Sequence, residues 1–463
     1  MTFLLYSSSL LLVLFSCFPA RSQGLQSHFH ISSLLPHPVC RRHPTAGDVD
    51  FFSSLHFLHV HNNCSKEKAS STSTLELVHR LSPCLAHNNN NNTPNKPILS
   101  SLAHDQLRVD SIKANLPTQS GRQLYHTGNY IVNISLGTPV QQASLILDTG
   151  SDLTWTRCQP CTSDTCPIFD PTVSSTYYNI SCDKPLCFNM LPRKTCDLLR
   201  RCTYSVVYGD GSYSVGLFSL EKLTIPETGD VFPDFMFGCG QSNYGFGEAS
   251  GILGFGRNET SFLSQIKETY GSYFSYCFPS TSDMIGFLTL GQNQDSTNSN
   301  MNFTPLSTRP DYPSFYFVEI TSISVGGTQL AIDYPSLFKN PGTIIDSGTV
   351  ISRVPQDAYT AMRDEFKRMI MGNYTAAKTF TIFDTCFYAS QGMIVPIVSF
   401  TFRGNVTVDL GAPQVLIALD GTIACFAFVP NDVSILGNTQ QKTLEVVYDV
   451  AGGQLGFRPN ACS

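Results

Sequence analysis

The chain has 463 residues, of which 42% are hydrophobic and 14% charged, with 33 glycines, 27 prolines and a formal net charge of −6. Its many short β-branched or aromatic runs, separated by turn residues, favour a large all-β fold with a substantial core. The acidic balance and the lack of a long lysine or arginine run argue against nucleic-acid binding.

Residues 1–23 predict entry into the secretory route. An apolar stretch from Leu10 to Phe18 precedes Pro19-Ala20-Arg21-Ser22 and is too short to span a bilayer, which is typical of a signal peptide, although a positive charge before it is missing. Residues 457–463 contain neither a hydrophobic tail for a lipid anchor nor a retention signal. We therefore expect an extracellular (apoplastic) protein without a membrane anchor, rather than a vacuolar or plastid one.

Asn-x-Ser/Thr sequons are consistent with that route. The six candidate glycosylation sites within residues 127–463 are Asn133, Asn179, Asn258, Asn302, Asn373 and Asn405.

Residues 24–120 differ in composition from the rest. They contain ten of the eleven histidines, an asparagine run at 88–92 and few strand patterns. Residues 1–126 hold 10 lysines and arginines against 6 acids, whereas residues 127–463 hold 19 against 29. Opposite net charges favour docking of this leader on the remainder. The alternative is a disordered tail whose modest charge has little meaning.

The histidines exclude several kinds of catalysis. All eleven lie between His28 and His126. Ser-His-Asp and Cys-His nucleophiles, and histidine-ligated zinc, are therefore excluded from residues 127–463. The catalytic mechanism that remains is attack by a water molecule that carboxylates activate. We expect neither a cofactor nor a metal.

Two similar segments lie nearly two hundred residues apart, Leu145-Ile-Leu-Asp-Thr-Gly-Ser151 and Thr343-Ile-Ile-Asp-Ser-Gly-Thr349. The apolar residues predict buried strands, so Asp148 and Asp346 should lie at strand ends facing a crevice. Each glycine permits a sharp turn that leaves backbone N–H groups pointing at the carboxylate, and Ser151 and Thr349 can donate a further hydrogen bond.

The repetition suggests one active site built from two halves. If the loops meet about a pseudo-twofold axis, the carboxylates come too close for both to ionise, and one proton is shared. Such a pair can activate a water with its ionised member and protonate a carbonyl with its neutral one. The alternative, that the motifs merely form two turns, is weakened by the shared apolar prefix.

Twelve cysteines follow residue 157, and seven of them crowd into residues 158–202. Cys158-Gln-Pro-Cys161 could indicate a metal or redox site, but no second C-x-x-C completes a zinc ribbon. In a chain with a secretory leader, an even count with irregular spacing indicates disulfides. Further on, Tyr359, Met362, Phe366 and Ile370 recur at helical spacing and predict a helix.

Residues 127–463 resemble the pepsin-like aspartic proteases. Besides the two Asp-Thr/Ser-Gly motifs, the chain has Ile252-Leu253-Gly254 and Ile435-Leu436-Gly437 where that family has segments crossing beneath the catalytic loops. The resemblance implies an all-β bilobal fold, with two pseudo-twofold-related lobes and a few short helices. It places a pro-segment at 24–120, an N-terminal lobe at 121–308 with a Cys-rich insertion at 158–202, and a C-terminal lobe at 309–463.

The resemblance also implies roles for individual residues. Asp148 and Asp346 would hold the attacking water, and their neighbours would fix the carboxylates: Thr149, Gly150, Ser151, Ser347, Gly348 and Thr349. Tyr208 and Gly209 would form a flap that closes over a polypeptide substrate. Trp155, the single tryptophan, would hydrogen-bond the flap tyrosine.

The cysteine block resembles the insertion of plant nepenthesin-type enzymes. Phe237-Gly-Cys-Gly-Gln241 and Gly437-Asn-Thr-Gln-Gln-Lys442 resemble a branch of that group named after a chloroplast nucleoid DNA-binding protease. From this resemblance we expect disulfides between Cys386 and Cys425 and between Cys239 and Cys462.

The predicted function is a secreted, monomeric aspartic endopeptidase made as a zymogen and active at acidic pH. Its partners would be a polypeptide substrate and its own pro-segment as an intramolecular inhibitor, with no nucleic acid. The alternative is a non-catalytic inhibitor or binding protein of the same fold.

Overall fold

A computed structural model describes residues 26–29 (backbone only), 74–79, 105, 129–160, 169–190, 194–208, 211–247, 249–281, 284–292, 301–340, 342–370, 374–389, 393–419 and 422–462. The predicted signal peptide and most of the predicted pro-segment lie outside these residues. Within them, no helix combines the length and apolar character needed to span a membrane.

Strands dominate the first part of the described chain. They are β1 (Gln26–Phe29), β2 (Thr74–His79), β3 (Tyr130–Leu136), β4 (Gln141–Asp148), β5 (Trp155–Arg157), β6 (Tyr178–Asn179), β7 (Lys194–Cys196), β8 (Cys202–Val207), β9 (Tyr213–Thr224), β10 (Val231–Tyr244), β11 (Gly251–Gly254), β12 (Tyr273–Cys277), β13 (Ile285–Leu290) and β14 (Asn302–Pro305). Two helices accompany them, α1 (Pro185–Met190) and α2 (Phe262–Tyr270).

The second part is also strand-rich. Its strands are β15 (Phe317–Val318), β16 (Ile320–Val325), β17 (Thr328–Gln329), β18 (Thr343–Ile345), β19 (Ser352–Val354), β20 (Cys386–Tyr388), β21 (Met393–Pro396), β22 (Val398–Phe402), β23 (Val406–Leu410), β24 (Leu416–Ala418), β25 (Ile423–Phe426), β26 (Phe428–Pro430), β27 (Ser434–Leu436), β28 (Glu445–Asp449) and β29 (Gln454–Arg458). Its helices are α3 (Tyr334–Phe338), α4 (Gln356–Ile370), α5 (Ala412–Val415) and α6 (Asn438–Gln441).

The same strand arrangement occurs once in each half of the molecule. In the first half β11 pairs parallel to β4 and antiparallel to β5, and β5 pairs parallel to β10. In the second half β27 pairs parallel to β18 and antiparallel to β19, and β19 pairs parallel to β26. The all-β fold with two related halves and short helices is therefore confirmed.

One large sheet crosses from one half to the other. Its strands follow the order β14-β29-β28-β12-β13-β2-β3-β4-β11-β5-β10-β9-β8-β7, with β6 beside β9. Strands β28 and β29 come from the second half and extend the sheet at β12. Strand β2 comes from the leader and lies between β13 and β3.

The helix predicted from the spacing between Tyr359 and Ile370 is α4, the longest helix of the described part at 15 residues. The four residues that predicted it are all buried: Tyr359, Met362, Phe366 and Ile370. They pack into the main hydrophobic core, which includes residues of both halves.

The described residues form five disulfides: Cys158–Cys239, Cys182–Cys196, Cys187–Cys202, Cys277–Cys462 and Cys386–Cys425. The expected pair Cys386–Cys425 is present, and these residues lie opposite each other on β20 and β25. Cys161 and Cys166 lie outside the described residues.

The expected pair Cys239–Cys462 is wrong. Cys239 lies on β10 beside β5, and the chain leaves β5 at Cys158, whose N–H donates to the carbonyl of Gly240 (2.9 Å). Cys462 instead reaches the end of β12, where its Sγ lies 3.2 Å from the Phe278 carbonyl and bonds to Cys277. Strand pairing, which the cysteine spacing does not encode, decides both partners.

Candidate active site

The first Asp-Thr-Gly motif forms a buried turn at the end of β4. Leu145 and Leu147 are buried in the sheet, and Asp148 follows them with no exposed surface. Gly150 N–H donates to Asp148 Oδ1 at 3.0 Å, and Ser151 Oγ donates to Asp148 Oδ2 at 2.5 Å. Both carboxylate oxygens are thereby fixed in direction, as the motif predicts.

The second motif repeats this geometry after β18. Gly348 N–H donates to Asp346 Oδ1 at 2.8 Å, and Thr349 Oγ1 donates to Asp346 Oδ2 at 2.6 Å. Asp346 is also fully buried. The two carboxylates therefore have equivalent donors in equivalent positions.

Reciprocal hydrogen bonds join the two loops. Thr149 N–H donates to Ser347 Oγ at 3.0 Å, and Ser347 N–H donates to Thr149 Oγ1 at 2.9 Å. Each hydroxyl also donates onward across the junction, Ser347 Oγ to the Leu147 carbonyl (3.0 Å) and Thr149 Oγ1 to the Ile345 carbonyl (3.4 Å). Since the bonded residues Thr149 and Ser347 directly follow Asp148 and Asp346, the two loops face each other about a local twofold axis.

Strand β11 runs beneath the first loop and supports it through its backbone. Phe255 N–H donates to the Asp148 carbonyl and Gly256 N–H to the Ser151 carbonyl, both at 2.8 Å. A Cβ on Gly254 would lie 2.3 Å from the Asp152 carbonyl oxygen, so a larger residue does not fit there. This close approach is the physical reason for glycine at the end of Ile252-Leu253-Gly254.

Strand β27 does the same for the second loop. Asp346 N–H donates to the Leu436 carbonyl (3.1 Å), and Asn438 N–H donates to the Thr349 carbonyl (2.8 Å). A Cβ on Gly437 would lie 3.0 Å from the Thr349 carbonyl oxygen.

Two buried tyrosines on the adjoining strands β12 and β28 are linked to the second loop's support. Tyr276 Oη lies 2.9 Å from Tyr448 Oη and donates to Gln441 Oε1 at 2.6 Å, while Gln441 Nε2 donates to the Leu436 carbonyl at 2.8 Å. Burial raises the pKa of both phenols well above the ordinary value. Both phenols therefore stay protonated and serve as hydrogen-bond donors.

Tyr208, the residue expected in the flap, lies in the turn between the antiparallel strands β8 and β9. Tyr208 follows β8, and its N–H donates to the Ser212 carbonyl at 2.8 Å just before β9 begins. Trp155 Nε1 donates to Tyr208 Oη at 2.7 Å, and the ring of Phe246 contacts both aromatic rings edge-on. The structure thus joins the two predicted flap aromatics, while Gly209 lies outside the described residues.

Several residues that hold the second loop were not singled out by sequence reasoning. Asn438 Nδ2 donates to the Ser347 carbonyl (3.0 Å), and Asn129 Nδ2 donates to the Gly348 carbonyl (3.2 Å). Asp105 of the leader accepts hydrogen bonds from the loop just beyond Thr349. Only Asn438 carried a signal, as part of Gly437-Asn-Thr-Gln-Gln-Lys442, whereas nothing local distinguishes Asn129 or Asp105 from other polar residues.

The described sequons differ in exposure. Asn133, Asn258, Asn302 and Asn405 are exposed, Asn179 is half-buried, and Asn373 lies outside the described residues. Asn258 Nδ2, the atom a glycan would modify, donates to Asp152 and Ser314 at 2.7 and 2.9 Å.

No group of three or more His, Cys, Asp or Glu side chains within the described ranges could hold a metal ion. The chemistry that these residues offer is that of two oriented carboxylates.

Comparison with known proteins agrees with this geometry. Residues 130–292 match the family described as "Xylanase inhibitor N-terminal", and residues 315–459 match "Xylanase inhibitor C-terminal". An aspartyl protease family protein of Arabidopsis thaliana is 41% identical, covering 96% of this chain and 95% of that protein. The aspartic proteinase nepenthesin-2 of Nepenthes gracilis is 35% identical, covering 79% of this chain and 86% of that protein.

Among solved structures, basic 7S globulin from soybean is similar, with a TM-score of 0.59 at 18% identity over 72% of this chain and 93% of that one. At that identity the likeness concerns the fold alone. The repeated strand arrangement, the paired aspartate loops and the two relatives above together establish that the chain belongs to the plant pepsin-like aspartic proteases.

Proposed function

We propose that this protein is an aspartic endopeptidase that hydrolyses peptide bonds with a water held between Asp148 and Asp346. The observation that carries the proposal is the reciprocal pair of hydrogen bonds between Thr149 and Ser347. It fixes the two carboxylate loops against each other with equivalent donors on both aspartates.

The proposed chemistry is general acid–base catalysis without a covalent intermediate. One carboxyl group holds the shared proton and the other is ionised, because two such groups at close range do not both ionise. The ionised member takes a proton from the water while the neutral member protonates the substrate carbonyl. Acidic conditions keep the pair singly protonated, so we propose an acidic working range.

The substrate would be a polypeptide bound as an extended strand beneath the flap. Closing of Tyr208 over the substrate would exclude water and strengthen electrostatic interactions around the carboxylates. The hydrogen bond from the buried Trp155 gives Tyr208 a fixed resting position.

A leader that inhibits the enzyme before maturation is part of the proposal. Strand β2 of the leader pairs with β13 and β3, and its Leu75 and Leu77 are buried in the core. These contacts support docking of the leader on the enzyme. Secretion to the apoplast as a monomer is proposed with it, and the disulfides and exposed sequons support that compartment.

A non-catalytic inhibitor or binding protein is the second candidate. It is favoured by the matched family descriptions, which are named after xylanase inhibitors. Both aspartate motifs and Tyr208 are intact here, which favours the protease.

The deciding experiment expresses the chain with its leader and follows cleavage of a protein substrate over an acidic pH series. We expect activity that a transition-state-mimic inhibitor of aspartic proteases blocks. Asp148→Asn and Asp346→Asn should each lower the rate by about 10³-fold or more. Asp409→Asn is the matched control, since Asp409 accepts from Ser399 in a separate sheet. Full activity in Asp148→Asn or Asp346→Asn would refute the proposal.

A further inference from the structure

The second catalytic loop is held from behind by a carboxylate that comes from the leader. Asp105 Oδ1 accepts from Val350 N–H at 2.5 Å, and Asp105 Oδ2 accepts from Ile351 N–H at 3.0 Å. Asp105 Oδ2 also lies 2.9 Å from Arg353 Nη2. All four residues are buried, with 5% exposure or less.

The backbone N–H groups and the guanidinium around Asp105 form a binding site for an anion. Val350 and Ile351 directly follow Thr349, whose hydroxyl donates to Asp346. The side chains of Val350 and Ile351 are apolar and cannot accept a hydrogen bond from the backbone N–H groups. Arg353 is fully buried and donates to the Ile351 carbonyl at 2.5 Å. Two converging N–H donors favour an anionic acceptor, because hydrogen bonds to a charged acceptor are strong. The buried guanidinium also favours an anion, because a buried cation without its partner strongly destabilises the folded protein.

The two halves of the molecule differ at this point. The residue four positions after Asp148 is itself an acid, Asp152, whose carboxylate accepts from Asn258 and Ser314. The residue four positions after Asp346 is Val350. In the second half the carboxylate beside the loop is therefore supplied by Asp105, 245 residues earlier in the chain.

We propose that Val350 N–H, Ile351 N–H and Arg353 form a carboxylate-binding site whose occupant is Asp105, and that this contact is the anchor by which the leader holds the second catalytic loop. The inference rests on the proposed role of the leader as a pro-segment. Departure of the leader removes the Asp105 carboxylate from two amide donors and a buried guanidinium. Release of the leader and loosening of the loop that carries Asp346 are therefore one linked event.

The test measures amide hydrogen exchange of the loop in the full chain carrying Asp148→Asn, so that self-cleavage plays no part. In Asp105→Ala, exchange at Val350 and Ile351 should rise by about tenfold or more, since charge-assisted hydrogen bonds are lost. Exchange at Leu145 and Leu147 of β4 should stay unchanged. Asp409→Ala, which removes a carboxylate that accepts from Ser399 in a separate sheet, is the matched control and should leave Val350 and Ile351 protected.

Rescue by a free carboxylate separates a binding site from general loss of structure. Sodium acetate should restore protection at Val350 and Ile351 in Asp105→Ala, whereas sodium chloride at equal ionic strength should not. If Asp105→Ala does not fold, its refolding yields in the two salts are compared, and a higher yield in acetate supports the site. Unchanged exchange in Asp105→Ala, or equal effects of acetate and chloride, would overturn it.

The readout needs no proteolysis and therefore separates the two proposals. A parent chain without acid protease activity would count against the proposed function alone. Unaltered loop protection in Asp105→Ala would count against the carboxylate site alone.

Discussion

Each aspartate of the site accepts hydrogen bonds from the glycine two positions later and the hydroxyl three positions later. This short-range pattern is written in the sequence, because a glycine turn brings its own N–H back to the preceding carboxylate. The cross-loop bonds are different, since Thr149 and Ser347 are 198 residues apart. They exist only because two separate strands end at the same place.

At the residue scale we predict the effect of removing one cross-loop hydroxyl. Thr149→Val keeps the side-chain shape but leaves the buried N–H of Ser347 without its acceptor. The free energy of unfolding should fall by about 1–3 kcal/mol, and kcat should fall with KM little changed. Denaturant unfolding and steady-state kinetics measure these changes.

Thr407→Val is the control for this substitution. Thr407 forms a 2.9 Å hydroxyl pair with Thr401 at an exposed position, so its loss should alter neither stability nor kcat appreciably. Equal changes in the free energy of unfolding and in kcat for the two variants would show that the cross-loop hydrogen bonds contribute no more than an exposed hydroxyl pair.

At the element scale, hairpin β8–β9 positions Tyr208, the residue proposed for the flap, and strands β11 and β27 support the two aspartate loops. The tip of the hairpin is tied to the body by the bond from Trp155 to Tyr208 and by the ring of Phe246. A flap has to move to admit substrate, and a single hydrogen bond can be broken and remade on each cycle. The bond from Trp155 therefore holds Tyr208 in one position without preventing the movement that the proposed flap requires.

Removing that bond tests the role of the hairpin. Tyr208→Phe keeps the ring but deprives the buried Trp155 Nε1 of its acceptor. We expect kcat/KM to fall about tenfold, with a stability loss of about 1 kcal/mol. Tyr178→Phe, at an exposed tyrosine, is the matched control. A Tyr208→Phe enzyme with unchanged kcat/KM would remove the flap hydroxyl from the mechanism.

Elements that depend on local pattern could be predicted from the sequence. The apolar runs before each aspartate are strands, and the three- and four-residue spacing from Tyr359 to Ile370 is helix α4. The partner of Cys239 could not be predicted, because β10 lies beside β5 through long-range strand pairing. The role of Asp105 could not be predicted for the same reason, because its partner Arg353 lies in the other half of the chain.

At the scale of the whole molecule, the large sheet joins leader, first half and second half in one hydrogen-bonded body. Strand β2 occupies an interior position in it, between β13 and β3. A leader docked in this way behaves as part of the core. A disordered tail, the alternative kept open by its composition, would contribute nothing to stability.

Leu77 distinguishes these two descriptions of the leader. It is fully buried on β2, so Leu77→Ala should lower the free energy of unfolding of the full chain by about 2–5 kcal/mol. Leu198→Ala removes the same atoms from a fully exposed leucine and should change stability by less than about 0.5 kcal/mol. Urea unfolding of both variants in an Asp148→Asn chain, which under the proposed mechanism cannot cleave itself, gives the comparison. Identical urea midpoints for the two variants would indicate that the leader is a disordered tail.

The contribution of β28 to the large sheet sets an order of events during synthesis. Strand β12 is translated long before β28 emerges, so in the nascent chain its outer edge has no neighbour and invites pairing with another molecule. Cys277 is likewise translated 185 residues before its partner Cys462, whereas Cys187 and Cys202 are only 15 residues apart. One thiol and one strand edge therefore stay without their native partners until residues 445–462 have been translated, so the first half of the molecule cannot complete its own sheet.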